Sequence, residues 1–341
     1  MIESLIRPYI RKLAPYSTAR DESLGVGRVF LDANENPNPS SVNRYPDPHQ
    51  RALKARLARL LGVQGSQLFL GNGSDEAIEL LIRVAAAPKE GIVVMPPTYG
   101  MYKVAALGHN VKVVEVPLCA NFTPDIASIG KAGREGAKIL FVCSPNNPTG
   151  NQISLETISE LIEAFPGVIV VDEAYIEFSR GGSAVSLLSR CDRLVILRTL
   201  SKAWGLAGAR LGMAIGHPGL IAALSRIKLP YNINALTQEY VLKALDGATL
   251  IESQIQEIVS ERARVFESLR QNGGVATVYP SDTNFILVKV KRPQFVFEGL
   301  FRAGIVVRDR SREHLCDGCL RITIGTREEN DGMLQVMEGL S

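Results

Sequence analysis

Lys202 stands in the stretch Arg198-Thr199-Leu200-Ser201-Lys202-Ala203-Trp204-Gly205, directly after the apolar run Leu194 to Leu197. Such a run reads as a buried strand. That puts Thr199, Ser201 and Lys202 at its carboxyl end, where open α/β sheets bind their ligands. A lysine there is either a surface residue or an amine nucleophile, and taken singly the surface role is the commoner. Other residues share the placement. Asp172 follows four apolar residues, Val168 to Val171, and a carboxylate so placed costs free energy unless it has a cationic partner, such as a protonated ring nitrogen. Tyr175 can turn its phenol to the same place. Asn147, in a Pro-flanked turn, offers an amide, and Tyr99, after Pro96 and Pro97, offers a flat face. Arg210 and Arg321 offer planar forks for phosphate or carboxylate. Thr199 and Ser201 offer hydroxyls.

Gly71-Asn72-Gly73-Ser74-Asp75 opens a helical stretch running to about Ala87. Its free N–H groups and helix dipole attract an anion. It also reads as a plain helix start, with Ser74 as N-cap and the acidic residues favoured by the dipole. If phosphate binds there, Asp75 contributes its N–H, because its carboxylate repels the ligand. Singly, each of these residues has an ordinary structural role. Together they describe a planar, anionic nitrogen heterocycle, with a lysine close enough to form a Schiff base with its carbonyl. Pyridoxal 5′-phosphate fits all of it.

The elements that must position these residues repeat one pattern. Apolar runs at Gln67–Leu70, Ile92–Met95, Lys138–Cys143, Val168–Val171, Leu194–Arg198 and Leu211–Ile215 end in polar or Gly-rich turns, and helical stretches often follow. Strands alternating with helices imply an α/β fold, with a mostly parallel sheet covered by helices. A helix is expected over 49–61, closed by Gly62. Residues 1–30 read as an N-terminal arm that packs on a partner subunit, and 31–250 as the large sheet domain. A helix with apolar residues at roughly 3.6 spacing, Ile251 to Leu269, opens a smaller α+β C-terminal domain over 251–341. In that domain strands are expected at Phe285–Val290, Gly304–Val307 and Leu320–Ile324, with a helix near Gln294–Arg302.

The chain has 341 residues, 46% hydrophobic and 21% charged, and a net charge of +3. This charge is too small to argue for nucleic-acid or membrane binding. No apolar run approaches a membrane span, and the charged N-terminus lacks a signal-peptide core, so the expectation is a cytoplasmic protein. The five cysteines form no secreted disulfide pattern. Cys316-Asp317-Gly318-Cys319 has no second ligand pair for zinc and reads as a reduced turn before a strand. No metal site is expected, and the four histidines are scattered.

The set of motifs resembles the fold-type I pyridoxal-phosphate aminotransferases, and within them the histidinol-phosphate aminotransferases. The resemblance runs over nearly the whole chain. It is carried by the turn around Asn34, Arg44-Tyr45-Pro46, Gly71 to Glu76, Pro97 to Tyr102, Ser144 to Gly150, Asp172 to Tyr175, Thr199 to Lys202 and Leu320-Arg321-Ile322-Thr323. It implies that Lys202 carries the cofactor and moves the proton, that Asp172 pairs with the ring nitrogen, and that Asn147 and Tyr175 bond the ring oxygen. It implies that Tyr99 stacks on the ring, and that Ser74, Asp75, Thr199, Ser201 and Arg210 hold the phosphate. Tyr45 would reach that phosphate from the other subunit of a homodimer. Arg321 matches the carboxylate-binding arginine, and Tyr16 and Arg308 match positions that help bind a substrate phosphate. The implied reaction moves an amino group between histidinol phosphate or imidazole acetol phosphate and glutamate or 2-oxoglutarate. Aromatic amino acid transamination or threonine-phosphate decarboxylation would use the same fold.

Overall fold

A computed structural model describes residues 2–15, 17–18 and 28–341. Seven strands form one sheet: β1 (Leu68–Asn72), β2 (Gly91–Val94), β3 (Lys112–Glu115), β4 (Ala137–Cys143), β5 (Val168–Asp172), β6 (Leu194–Thr199) and β7 (Leu211–Gly216). Their spatial order is β1-β7-β6-β5-β4-β2-β3. β7 runs antiparallel to both neighbours, and the other pairings are parallel. The runs are continuous rather than alternating because both faces of the sheet are covered. Val168 and Val170 enter the core on one face, and Ile169 and Val171 enter it on the other. All four are wholly buried, each contributing about 1.5–3 kcal/mol, so the strand that ends in Asp172 is firmly held. The edge strand β3, with Lys112 and Glu115 exposed at its ends, has too few apolar residues to stand out in sequence.

Helices cover the sheet: α1 (Pro8–Lys12), α2 (Arg51–Leu61), α3 (Ser74–Ala85), α4 (Met101–Gly108), α5 (Ile126–Arg134), α6 (Leu155–Ala164), α7 (Pro218–Ile227) and α8 (Ala235–Ala244). Their starts are capped as their sequences suggest: the side chains of Asp125, Ser154 and Asn234 accept from the backbone N–H three residues on. The start of the N-terminal segment makes contacts within this chain. Ile6 and Ile10 are buried in this chain's own core, and the Arg7 N–H donates to Val84 O at 2.9 Å. Two apolar side chains spaced one helical turn apart suffice to dock it on the chain itself.

The second sheet contains β8 (Val275–Val278), β9 (Phe285–Val290), β10 (Arg308–Asp309) and β11 (Cys319–Thr323), in the order β10-β11-β9-β8, all antiparallel. It packs with α9 (Ala248–Gln271), α10 (Pro293–Arg302) and α11 (Arg327–Gly339) around a separate core that includes Val265, Leu269, Ile286, Val288 and Met333. The expected strand at Gly304–Val307 is absent. The N–H groups of Ala303, Gly304 and Ile305 all donate to carbonyls at the end of α10, which leaves no ladder until Arg308. Cys316 and Cys319 are free and buried, in a turn that leads into β11. Among the described residues no helix is long and apolar enough to cross a membrane, and no cluster of His, Cys, Asp and Glu could hold a metal ion.

Candidate active site

The carboxyl ends of β4, β5 and β6 open into a cleft of about 520 Å³. Its wall is completed by the start of α3, the segment around Tyr99 and the β10–β11 edge of the second sheet. Ser74, Asp75, Tyr99, Asn147, Asp172, Tyr175, Thr199, Ser201, Lys202, Arg210, Arg308 and Arg321 all line it. One expected residue is elsewhere and one is not described. Tyr45 lies half-exposed in a separate surface pocket, its ring stacked on Tyr231 at 4.5 Å. Tyr16 lies outside the described residues.

Asp172 closes β5 and is buried. Its Oδ1 accepts the Ala174 N–H at 3.1 Å, and its Oδ2 accepts the Tyr102 hydroxyl at 2.7 Å. Burial pushes its pKa up to about 6, against the pull of those two bonds. An anion so placed is half-satisfied and is suited to a cationic ring N–H. Tyr102 is wholly buried and stacked on Phe141, with ring centroids 4.6 Å apart. Sequence reasoning gave it no role, because a tyrosine on an apolar helix face reads as core. Its spacing three residues after Tyr99 was the available signal, since that places both on one side of a helical turn.

Lys202 follows β6 in a turn closed by Gly205, whose φ is +65 and whose N–H donates to Lys202 O at 3.1 Å. Its amine lies 5.6 Å from the Tyr175 ring centroid. Desolvation in the cleft and the nearby Arg321 and Arg210 lower its pKa, while Asp172 and Asp75 oppose the shift. The lysine is thus biased toward the neutral, nucleophilic form. Burial and Asp172 push the neighbouring Cys143 thiol up to about 12, so it stays protonated and does not compete as a nucleophile.

The start of α3 turns Ser74 and Asp75 to the cleft, with its first backbone N–H groups available to an anion. Gly73, at φ +80, caps the helix, and Ser74 is its first residue rather than its N-cap. The Gly73 N–H donates to Arg210 O at 2.7 Å, which ties the helix start to the loop before β7. A Cβ on Gly73 would collide with the Arg210 guanidinium, and one on Gly212 would collide with the Ser74 backbone nitrogen. These are close approaches that only glycine allows. The Asp75 carboxylate is turned aside to the Tyr99 hydroxyl at 3.0 Å and toward Arg210 at 3.9 Å, so its N–H is left for an anion. Arg210 also reaches Ser201 Oγ at 3.5 Å, and the Ser201 N–H donates to Thr199 Oγ1 at 3.2 Å.

On the second-sheet side, Arg321 donates to the Asn147 side-chain oxygen Oδ1, and the Asn147 Nδ2 donates to the Tyr175 hydroxyl at 3.5 Å. Arg321 also lies over Phe285, 5.2 Å from its ring centroid. The cleft therefore offers an anion seat at the start of α3, an amine and a buried carboxylate, and arginines on the second-sheet side. Such a set fits a planar phosphorylated heterocycle whose carbonyl meets Lys202. Beneath the lysine strand, Glu173 is buried against Arg198 at 2.9 Å and Ser183 at 2.7 Å. Sequence reasoning also missed this network, because a single Glu after Asp172 looks like a turn residue.

Comparison with known proteins assigns the chain to a family. Residues 22–337 match the aminotransferase class I and II family. The histidinol-phosphate aminotransferase of Parabacteroides distasonis is 48% identical over 340 residues, covering 99% of each chain. The crystal structure of the histidinol-phosphate aminotransferase from Clostridium acetobutylicum superposes with a TM-score of 0.81 at 27% identity, covering 88% of this chain and 91% of that one. The fold is also that of the Sinorhizobium meliloti histidinol-phosphate aminotransferase solved in complex with pyridoxal-5′-phosphate, with a TM-score of 0.81 at 23% identity over 98% of this chain and 97% of that one. The chain belongs to the aminotransferase class I and II family and, within it, to the histidinol-phosphate aminotransferases.

Proposed function

We propose that the protein transfers an amino group between histidinol phosphate or imidazole acetol phosphate and glutamate or 2-oxoglutarate, with pyridoxal phosphate held in the cleft. The observation that carries this is that Lys202, the buried Asp172, the start of α3 and Arg210, Arg308 and Arg321 all line one cleft. Bound pyridoxal phosphate supplies an aldehyde for the amine and a ring that takes up electron density when the substrate loses its proton.

The chain's own residues do the rest. The Ser74 and Asp75 N–H groups, the Thr199 and Ser201 hydroxyls and Arg210 hold the phosphate. Asp172 keeps the ring nitrogen protonated, and Tyr99 packs on the ring face. Asn147 and Tyr175 hold the ring oxygen. Lys202, with its lowered pKa, would serve as the base for the substrate's carbon-bound proton and, once protonated, as the acid that gives it back. Arg321 takes the carboxylate of glutamate or the phosphate of histidinol phosphate, with Arg308 beside it and Tyr16 assigned to the same phosphate. Tyr45, remote from its own cleft, serves the phosphate seat of a second copy in a homodimer. The separate cores of the two sheets support dividing a cofactor domain (31–250) from a small domain (251–341), and the arm (1–30) is proposed from the sequence alone.

The test is the visible absorption of the loaded protein. Histidinol phosphate bleaches the band and 2-oxoglutarate restores it. If phenylalanine bleaches the band and histidinol phosphate does not, the substrate assignment fails and the cofactor assignment stands. A protein that stays colourless with pyridoxal phosphate overturns both.

A further inference from the structure

The cleft carries more positive charge than these roles require. Lys202, Arg210, Arg308, Arg310 and Arg321 line it, against the carboxylates of Asp75 and Asp172. Three of the arginines come from one edge of the second sheet. Arg308 is the direct ladder partner of Arg321. The Arg310 N–H donates to Cys319 O at 2.9 Å, which continues the ladder by one pair. Its place two residues after Arg308 sets both side chains on the same face. Like charges facing across an antiparallel ladder repel, and the chain relieves this only in part. Glu313 pairs with Arg310 Nη1 at 2.6 Å, and Asn147 accepts from Arg321. The Nε atoms of Arg310 and Arg321 are both buried with no hydrogen-bond partner among the described residues. Buried guanidinium N–H groups without acceptors cost stability until an anion receives them.

We propose that Arg310 is a specificity residue, which with Arg308 and Arg321 seats a tetrahedral dianion and makes the site prefer a phosphate monoester to a carboxylate. The proposal rests on the amino-transfer reading above. A carboxylate has two oxygens and one charge, and a single arginine saturates it in bidentate form. A phosphate monoester has three free oxygens and close to two charges at pH 7, enough for a third guanidinium. Arg310 lines the cleft, and its ion pair with Glu313 occupies Nη1 alone, which leaves Nη2 for this use.

The experiment uses the cofactor-loaded enzyme with three amine donors: histidinol phosphate, histidinol lacking the phosphate, and glutamate. In Arg310→Gln the KM for histidinol phosphate rises about 10- to 100-fold, the loss of one charge-assisted contact. Its kcat, and the KM values of the other two donors, stay within about threefold. Arg310→Lys, which keeps the charge and loses the fork, falls between. Inorganic phosphate, as an inhibitor of the glutamate half-reaction, weakens by the same factor in Arg310→Gln. If the KM values of all three donors rise together, or none does, Arg310 is only a structural partner of Glu313 and the proposal fails. If the wild type rejects histidinol phosphate but Arg310→Gln still weakens inhibition by phosphate, the seat stands and the substrate assignment is what fails.

Discussion

Replacing Tyr102 with Phe removes one oxygen from a wholly buried ring and leaves its stacking on Phe141 in place. What is lost is the hydroxyl that donates to Asp172 Oδ2 at 2.7 Å. Burial has pushed Asp172 up to about 6, with Tyr102 and the Ala174 N–H pulling it down and Asp75 and Glu173 pushing it up. Cys143, Tyr99, Tyr175 and Lys202 also interact with it across the cleft. A hydrogen bond to an ionised acceptor is worth about 1.5–3 kcal/mol, and one to a neutral acceptor about 1. At about 1.4 kcal/mol per pKa unit, the difference raises Asp172 by about one unit. The sign follows from proton counting. An acid with a raised pKa in the fold binds more protons folded than unfolded. Its stability contribution is therefore complete below about pH 4 and is lost as pH rises through about 6. In Tyr102→Phe the loss extends to about pH 7. In catalysis the ionised carboxylate is the working form, so the acid limb of kcat/KM moves up by about one pH unit, while the rate near pH 9 falls less than about threefold. The assay is kcat/KM for both proteins from about pH 5.5 to 9.5. Limbs that overlay, with a uniform loss at every pH, would show that the hydroxyl does not tune Asp172.

Gly212→Ala puts a Cβ against the Ser74 backbone, at a cost of about 1–3 kcal/mol. Absorbance titration of the cofactor-free protein is expected to show cofactor binding weakened about tenfold. Arg198→Ala strands the buried Glu173 carboxylate and lowers stability by about 3–5 kcal/mol in denaturant unfolding, whereas Arg198→Lys loses less. On the proposed homodimer with shared sites, Tyr45→Ala and Lys202→Ala, each impaired alone, regain about a quarter of wild-type activity when co-expressed, because half the dimers would be mixed and each would have one intact site. A mixture no more active than the average of the two variants argues against a shared site.

The cofactor end of the cleft was legible because each polar cluster ends a continuous apolar run, and sheet topology sends such ends to one place. Asn147, Asp172 and Lys202 come together for that reason alone. The direction of β7 was not legible, since Leu211 to Ile215 is equally apolar read either way. Tyr102 and Glu173 were hidden because burial, not residue type, gives them their roles. Arg310 was hidden because only the β10–β11 register reveals that it shares a face with Arg308. The strand expected at Gly304–Val307 failed because the end of α10 had already claimed its N–H groups.

The pairing of β1 with β7 has a consequence for synthesis. Among the described strands, β1 (Leu68–Asn72) pairs with β7 (Leu211–Gly216) alone, roughly 140 positions later in the chain. At translation rates of about 5–20 residues per second, β1 waits about 7–30 s for its partner. During that time Leu68, Phe69 and Leu70, all wholly buried in the finished fold, have no strand to pair with. The same docking brings Arg210 to Gly73, so the phosphate seat comes into being with the closing of the sheet edge. A cofactor that needs this seat cannot chaperone the nascent chain. It rewards only chains whose edge has already closed, and a ribosome stalled before residue 211 exposes an apolar strand that no amount of vitamin can protect.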